Sequence, residues 1–198
     1  MLTPTWRQSP NFDQRLVPVR YIVLHGTWMD DDEEALTRLC DPQAKVSCHY
    51  FIGKEGELYQ LVKEKNIAWH AGVSEWGDID GLNAHSIGIE ISNPGEGKGV
   101  DYTQKQYEVL IALLKDLMAR HDIHSEHILG HSDISPGRKT DPGFHFDWGV
   151  LEKHNLAAHL PKDLENDETA LHQIGYRGDF EDVQQAYLRR VTFKPEKV

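Results

Sequence analysis

Cysteine is nearly absent: the 198 residues include only Cys40 and Cys48. Two thiols in a chain of this length exclude a disulfide framework as the basis of the fold, and free thiols in a reducing compartment are the simplest reading. Long apolar runs are missing too. No stretch approaches the ~20 residues that cross a bilayer, and the first twenty residues, broken by Pro4, Pro10 and Pro18, hold no continuous apolar segment of the kind a secretory signal needs. A cytoplasmic protein is therefore expected; a chain whose signal had been removed would read identically and would be periplasmic or envelope-attached. Basic excess is also lacking. Lys and Arg total 21 against 32 Asp and Glu, a formal net charge of −11, and no run supplies the clustered cations that nucleic acid requires. No heptad pattern or extended apolar surface announces a protein partner.

What is present reads as one ordinary domain with an appendage. Residues 1–20 form an extended lead-in to a buried strand over Tyr21–His25, and the acidic run Asp30–Glu34 opens a helix whose short apolar stripe is Ala35, Leu36 and Leu39. His49–Gly53 and Glu57–Val62 flank Lys54-Glu55-Gly56 as a hairpin. From Ser86 to Ser92 the alternation is strict, with Ile87, Ile89 and Ile91 on one face and Gly88 and Glu90 on the other. Thr103 and Gln106 make a capping box before a long amphipathic helix through Met118. Ile128-Leu129 is a short strand, and Trp148–Leu160 a further helix. After Pro161, Asp167 and Asp179 cap two short helices; so short a tail cannot bury its own core and is expected to pack on the rest. The expected architecture is α/β: a single domain, residues 1–160, with a central mixed β-sheet flanked by helices, and a helical C-terminal extension over 161–198.

The chemistry concentrates in Gly130–Gly143, a Pro/Gly-rich stretch holding His131, Arg138, Lys139 and Asp141, and in His25 at the end of the first strand. Two neutral imidazoles and one carboxylate are a ligand set of catalytic zinc, which keeps a coordination position for water. Spacing alone leaves the rival open, since His25 is equally a hydrogen-bonded histidine at a strand end. Lys139 lies two residues from Asp141, so in extended backbone the two side chains share a side and Thr140 faces away. Arg138 and Lys139 read alternatively as solvated loop cations. Glu90, facing Gly88 and the serines, is the best-placed general base, against the plain alternative of a solvent-facing carboxylate.

Five ordered blocks then carry a resemblance: Tyr21–Thr27, ending His-Gly-Thr; Ser47-Cys48-His49-Tyr50; Ala68-Trp69-His70-Ala71-Gly72; Leu82-Asn83 with Ser86–Glu90; and Gly130-His131 through Gly143. Together, from about residue 6 to residue 152, they resemble the zinc-dependent N-acetylmuramoyl-L-alanine amidases of the amidase-2 type, whose fold is shared with phage amidase-type lysozymes and peptidoglycan recognition proteins. The resemblance implies one zinc ion held by His25, His131 and Asp141, a catalytic glutamate at Glu90, a transition-state-stabilising lysine at Lys139, and a substrate groove that includes Trp69, His70, Asn83 and Arg138. It further implies hydrolysis of the bond between N-acetylmuramic acid, or its 1,6-anhydro form, and L-alanine, on peptidoglycan or muropeptides. Cys48 stands where phage-type members can carry a tyrosine, so no role of that residue transfers. A non-catalytic recognition protein would lack metal ligands, and a stem-peptide peptidase of the His-Glu-x-x-His group would carry that helix, which this chain lacks.

Overall fold

Tyr21–Gly26, the apolar run that ends in His25, lies inside the sheet that organises the computed structural model, which describes residues 2–195. The strands are β1 (Thr5–Trp6), β2 (Phe12–Gln14), β3 (Tyr21–Gly26), β4 (Tyr50–Ile52), β5 (Leu58–Gln60), β6 (Asn66–Ala68), β7 (Glu75–Trp76), β8 (Ile79–Asp80), β9 (Ser86–Ile91) and β10 (Ile128–Gly130). The helices are α1 (Asp32–Cys40), α2 (Gln104–His121), α3 (His131–Ile134), α4 (Trp148–Glu152), α5 (Glu168–Ile174) and α6 (Phe180–Val191). The main sheet runs β1, β5, β4, β9, β3, β10; only the β4/β5 hairpin is antiparallel, so the sheet is mixed, as expected.

The two faces of this sheet are covered differently. On one, Ile22 and Leu24 of β3 join Ile87, Ile89 and Ile91 of β9 beneath Leu110, Leu113, Leu114 and Leu117 of α2. The period-two alternation of β9 thus sends every isoleucine to α2, whose first turn is closed by the Thr103/Gln106 capping box. The opposite face is covered mainly at its flanks, with Ala71, Leu82 and the His70 ring between them. At the β4 side, Ala35, Leu36 and Leu39 of α1 pack on Phe51 and Leu61. At the β10 side, Leu171, Tyr176, Val183, Ala186 and Tyr187 of the C-terminal segment pack on Tyr21, Val23, Leu129 and Ile134. Between these flanks His70 lies over Gly88, and Glu90 borders a cleft at the strand end beside His25.

Some elements depart from what the sequence suggests. The lead-in is not merely extended: β1 pairs parallel with β5, and β2 pairs antiparallel with β6. Gly130–Gly143 is not all loop, because His131–Ile134 turns helically, with Asp133 accepting the Gly130 N–H at 2.7 Å. The helix expected over Trp148–Leu160 stops at Glu152; Asn155 adopts a left-handed conformation (φ 57°), and the Leu156 N–H returns to the Leu151 carbonyl. No helix among the described residues is long and apolar enough to cross a membrane.

Candidate metal centre

Parallel register places His25 beside Glu90 at the carboxyl ends of β3 and β9, the edge of an α/β sheet where ligands gather. Strand β10, paired to the other side of β3, delivers His131 to the same edge. The chain then leaves through Pro136 and returns so that the Asp141 carbonyl accepts the Ser132 N–H at 2.8 Å. The Tyr102 hydroxyl, rising from beside α2, donates to the Pro142 carbonyl at 2.8 Å and pins this return.

Three donor atoms converge there. His25 Nδ1 lies 2.9 Å from His131 Nδ1 and 3.3 Å from Asp141 Oδ2, and His131 Nδ1 lies 3.1 Å from the same oxygen. All three residues are buried. Zinc–nitrogen bonds of ~2.0 Å at tetrahedral angles separate neighbouring donors by roughly 3.3 Å, so this triangle matches one face of a tetrahedral site.

The surrounding hydrogen bonds fix what the triangle offers. His131 Nε2 lies 3.0 Å from the Ala71 carbonyl and 3.3 Å from Arg138 Nη2, which itself donates to that carbonyl at 2.6 Å; the shorter contact to the carbonyl favours the tautomer with the proton on Nε2 and a lone pair on Nδ1. His25 Nε2 lies 3.0 Å from His70 Nδ1; His70 Nε2 lies 3.2 Å from Ser86 Oγ; and Ser86 Oγ donates to the Leu82 carbonyl at 2.6 Å. Because that last acceptor is a carbonyl, every donor in the chain points away from the triangle, and His25 Nδ1 also keeps a lone pair. Burial, then the neighbouring His131 ring, lowers the His25 pKa to about 4, so its imidazole is neutral at pH 7. Burial raises the Asp141 carboxyl, but His131 and His25 outweigh it and hold Asp141 well below the usual carboxylate range. Two lone pairs and a carboxylate oxygen facing one another repel unless a cation lies between them. The donor set fits zinc.

Glu90 borders the same cleft with its Oε2 buried and without a hydrogen-bond partner among the described residues. Burial first, then Asp141, raises its pKa to about 8, with Lys139 pulling in the other direction. Lys139 and Arg138 line the cleft, a cavity of about 360 Å³, and Thr140 lines it too rather than turning away. Arg138 is held by the carbonyls of Ala71 and Val73 at 2.6 and 2.7 Å.

The other residues of the expected groove divide. His70 reaches the cavity wall, but both its ring nitrogens are engaged behind the metal site, and burial keeps its pKa well below the usual range. Trp69 and Asn83 are not among the lining residues. Trp69 Nε1 donates to Asp13 at 2.6 Å, and Asn83 Oδ1 accepts the N–H groups of His70 and Ala71 at 2.9 and 2.7 Å. Sequence reading missed the His25–His70–Ser86 chain. Its one sequence signal was Gly88 between Ser86 and Glu90: a Cβ there would lie 2.3 Å from His70 Cγ. Trp28, at the cavity rim, also escaped notice.

Comparison with known proteins gives a consistent pattern. A family model described as N-acetylmuramoyl-L-alanine amidase matches residues 15–144. N-acetylmuramoyl-L-alanine amidase AmiD of Escherichia coli (strain K12) is 40% identical over 154 residues, which span 71% of this chain but only 54% of AmiD. The 1,6-anhydro-N-acetylmuramyl-L-alanine amidase AmpD of Enterobacter cloacae is 39% identical over 136 residues, 62% of this chain and 68% of AmpD. A solved complex of E. coli AmiD with anhydro-N-acetylmuramic acid-L-Ala-D-γ-Glu-L-Lys matches with a TM-score of 0.75 and 30% identity, over 93% of this chain and 84% of that one. AmpDh3 of Pseudomonas aeruginosa, in complex with an anhydromuramic pentapeptide, matches with a TM-score of 0.75 and 29% identity over 96% and 90%.

Proposed function

Because the chain belongs to the N-acetylmuramoyl-L-alanine amidase family, we propose that it hydrolyses the amide joining the lactyl group of N-acetylmuramic acid, ordinary or 1,6-anhydro, to the L-alanine of a stem peptide. One observation carries the reading: a triangle of inward lone pairs from His25, His131 and Asp141 beside the unpartnered Glu90 carboxylate. Zinc held by those three donors would polarise the scissile carbonyl and make hydroxide available near neutral pH.

The chain's own residues supply the rest. Glu90 accepts a proton from the attacking water and passes it to the departing alanine nitrogen, so water and amide become a lactyl carboxylate and a free amine. Its raised pKa suits the second half, delivery of the proton to nitrogen, and the positive charge of a bound zinc would lower it toward the carboxylate that the first half needs. Lys139 faces the developing oxyanion, a preorganised donor worth about 3 kcal/mol of barrier. Arg138 borders the substrate, fixed by the carbonyls it binds. His70 orients His25, while Asn83 and Trp69 shape the segment that carries His70. The amidase unit spans 1–160 and the extension 161–198, whose part among the described residues, up to 195, braces it; residues 1 and 196–198 lie outside the described residues. The reading favours muropeptides as substrates, since solved relatives hold anhydro-muropeptides. We place the reaction in the cytoplasm: Cys40 and Cys48 are both free thiols, the state a reducing compartment maintains. Recovery of the protein in a periplasmic fraction would contradict that placement.

The test is incubation of purified protein with anhydro-N-acetylmuramic acid-L-Ala-D-γ-Glu-L-Lys, with metal analysis and a chelator control. Mass spectrometry should show the intact sugar acid and the intact tripeptide, with about one zinc per chain and no turnover after chelation. A cut inside the peptide would assign the site to another reaction.

A further inference from the structure

At the cavity rim, three residues beyond His25, Trp28 adopts a left-handed backbone conformation (φ 51°) that bulky residues rarely occupy. The conformation is enforced on both sides. Thr27 Oγ1 donates to the Asn93 carbonyl at 3.2 Å and accepts the N–H groups of Asn93 and Met29. The indole rests on Gly95, where a Cβ would sit 2.9 Å from its Cγ, and against Gly26, where one would meet Nε1 at 3.4 Å. Gly95, which lacks a side chain, thus forms its seat, and Gly26 lies in ordinary contact at its edge. Despite this support the residue stays 43% exposed and lines the cavity that also holds Glu90, His131 and Asp141. A strained, firmly seated and still exposed aromatic beside a reaction centre is an unused recognition surface.

Building on the amidase reading, we propose that Trp28 is the sugar-recognition residue of this site, its indole stacking on the C–H face of the muramic acid ring. The two halves of a muropeptide differ in chemistry. A stem peptide offers carboxylates, and the lining cations Arg38, Arg138 and Lys139 suit those. A pyranose offers a flat array of C–H bonds edged by hydroxyls, which suits an amphipathic aromatic plane with an N–H at its rim.

The experiment uses the zinc-loaded full chain and three probes: anhydro-N-acetylmuramic acid-L-Ala-D-γ-Glu-L-Lys as substrate, and N-acetylmuramic acid and the tripeptide L-Ala-D-γ-Glu-L-Lys as inhibitors. In Trp28→Ala, KM and the inhibition constant of N-acetylmuramic acid should each rise about tenfold, while kcat falls less than about threefold and tripeptide inhibition is unchanged. Trp28→Phe, which keeps an aromatic plane on the same seat, should restore most of the sugar affinity and covers the case in which the alanine variant misfolds. Wild-type protein that fails to cleave the substrate overturns the amidase reading itself. Active wild type with unchanged sugar inhibition in both variants overturns the role of Trp28 alone, and so does an equal loss for sugar and tripeptide.

Discussion

Replacing Glu90 by Gln should have opposite effects on activity and on the pH dependence of stability. In the folded protein the carboxyl holds its proton up to a pKa of about 8, against 4.5 for an ordinary glutamate, because burial and the adjacent Asp141 penalise its charge. A raised carboxyl pKa contributes stability that is full below the unfolded value and lost as pH rises toward the folded one, since the native state binds more protons across that window. The gap is worth roughly 5 kcal/mol in total at ~1.4 kcal/mol per pH unit, of which about 3.5 kcal/mol is lost between pH 5 and pH 8. In a chain of this size that corresponds to roughly 7–14 °C in melting temperature. The assay is thermal unfolding of chelator-treated wild type and Glu90→Gln at pH 5 and pH 8. Other titrating groups and any constant cost of the new amide are common to both pH values, so the difference in slope isolates Glu90. The wild type should lose several degrees more than the variant, while the zinc-loaded variant shows no amide hydrolysis. Reloading zinc, which sets positive charge beside the carboxylate, should shrink the difference. Parallel slopes without metal would refute the assignment of a proton-holding carboxyl at Glu90.

Gly88→Ala should displace the His70 ring, because the added Cβ has only 2.3 Å to His70 Cγ; zinc affinity measured by competition with a chelating dye should fall about 10–100-fold, and unchanged affinity would mean His70 does not orient His25. Asp141→Asn removes the one anionic donor, and metal analysis should find zinc falling from about one per chain toward none; full occupancy would disqualify the site. Tyr176→Phe deletes the 2.8 Å hydrogen bond to the buried Asp133 beside His131, costing about 1–3 kcal/mol, and the melting temperature should drop by roughly 2–12 °C. A drop outside the error of the melt that is absent from Tyr59→Phe, a residue outside the tail, would tie the loss to this contact.

The sequence disclosed those parts of the site whose signal is local. Alternation through β9 placed Glu90 opposite the isoleucines, which follows from period-two geometry, and the continuous apolar run of β3 put His25 at the end of a buried strand. Thr103, Asp167 and Asp179 announced helix starts because a cap is written within four residues. What stayed hidden depends on distant pairing. The pairing of β1 with β5 joins Thr5 to Tyr59, and nothing in a two-residue strand declares its partner. The shorter α4 reflects a left-handed Asn155 that helical periodicity does not record. His70 sat in a block that suggested a groove, yet its nitrogens serve His25 and Ser86, a fact visible only once β9 lies beneath it.

The cavity at the end of the sheet face that carries Glu90 and His25 lies between two flanks built from separate stretches of chain, α1 on one side and α5 with α6 on the other. His25 hangs from β3 and His131 follows directly on β10, whereas α1 carries none of the three donors, so the α1 wall can drift or lengthen while the triangle keeps its spacing. Recasting the Trp28 to Leu39 wall is therefore a route to new glycan or peptide preferences with the hydrolytic apparatus left in place.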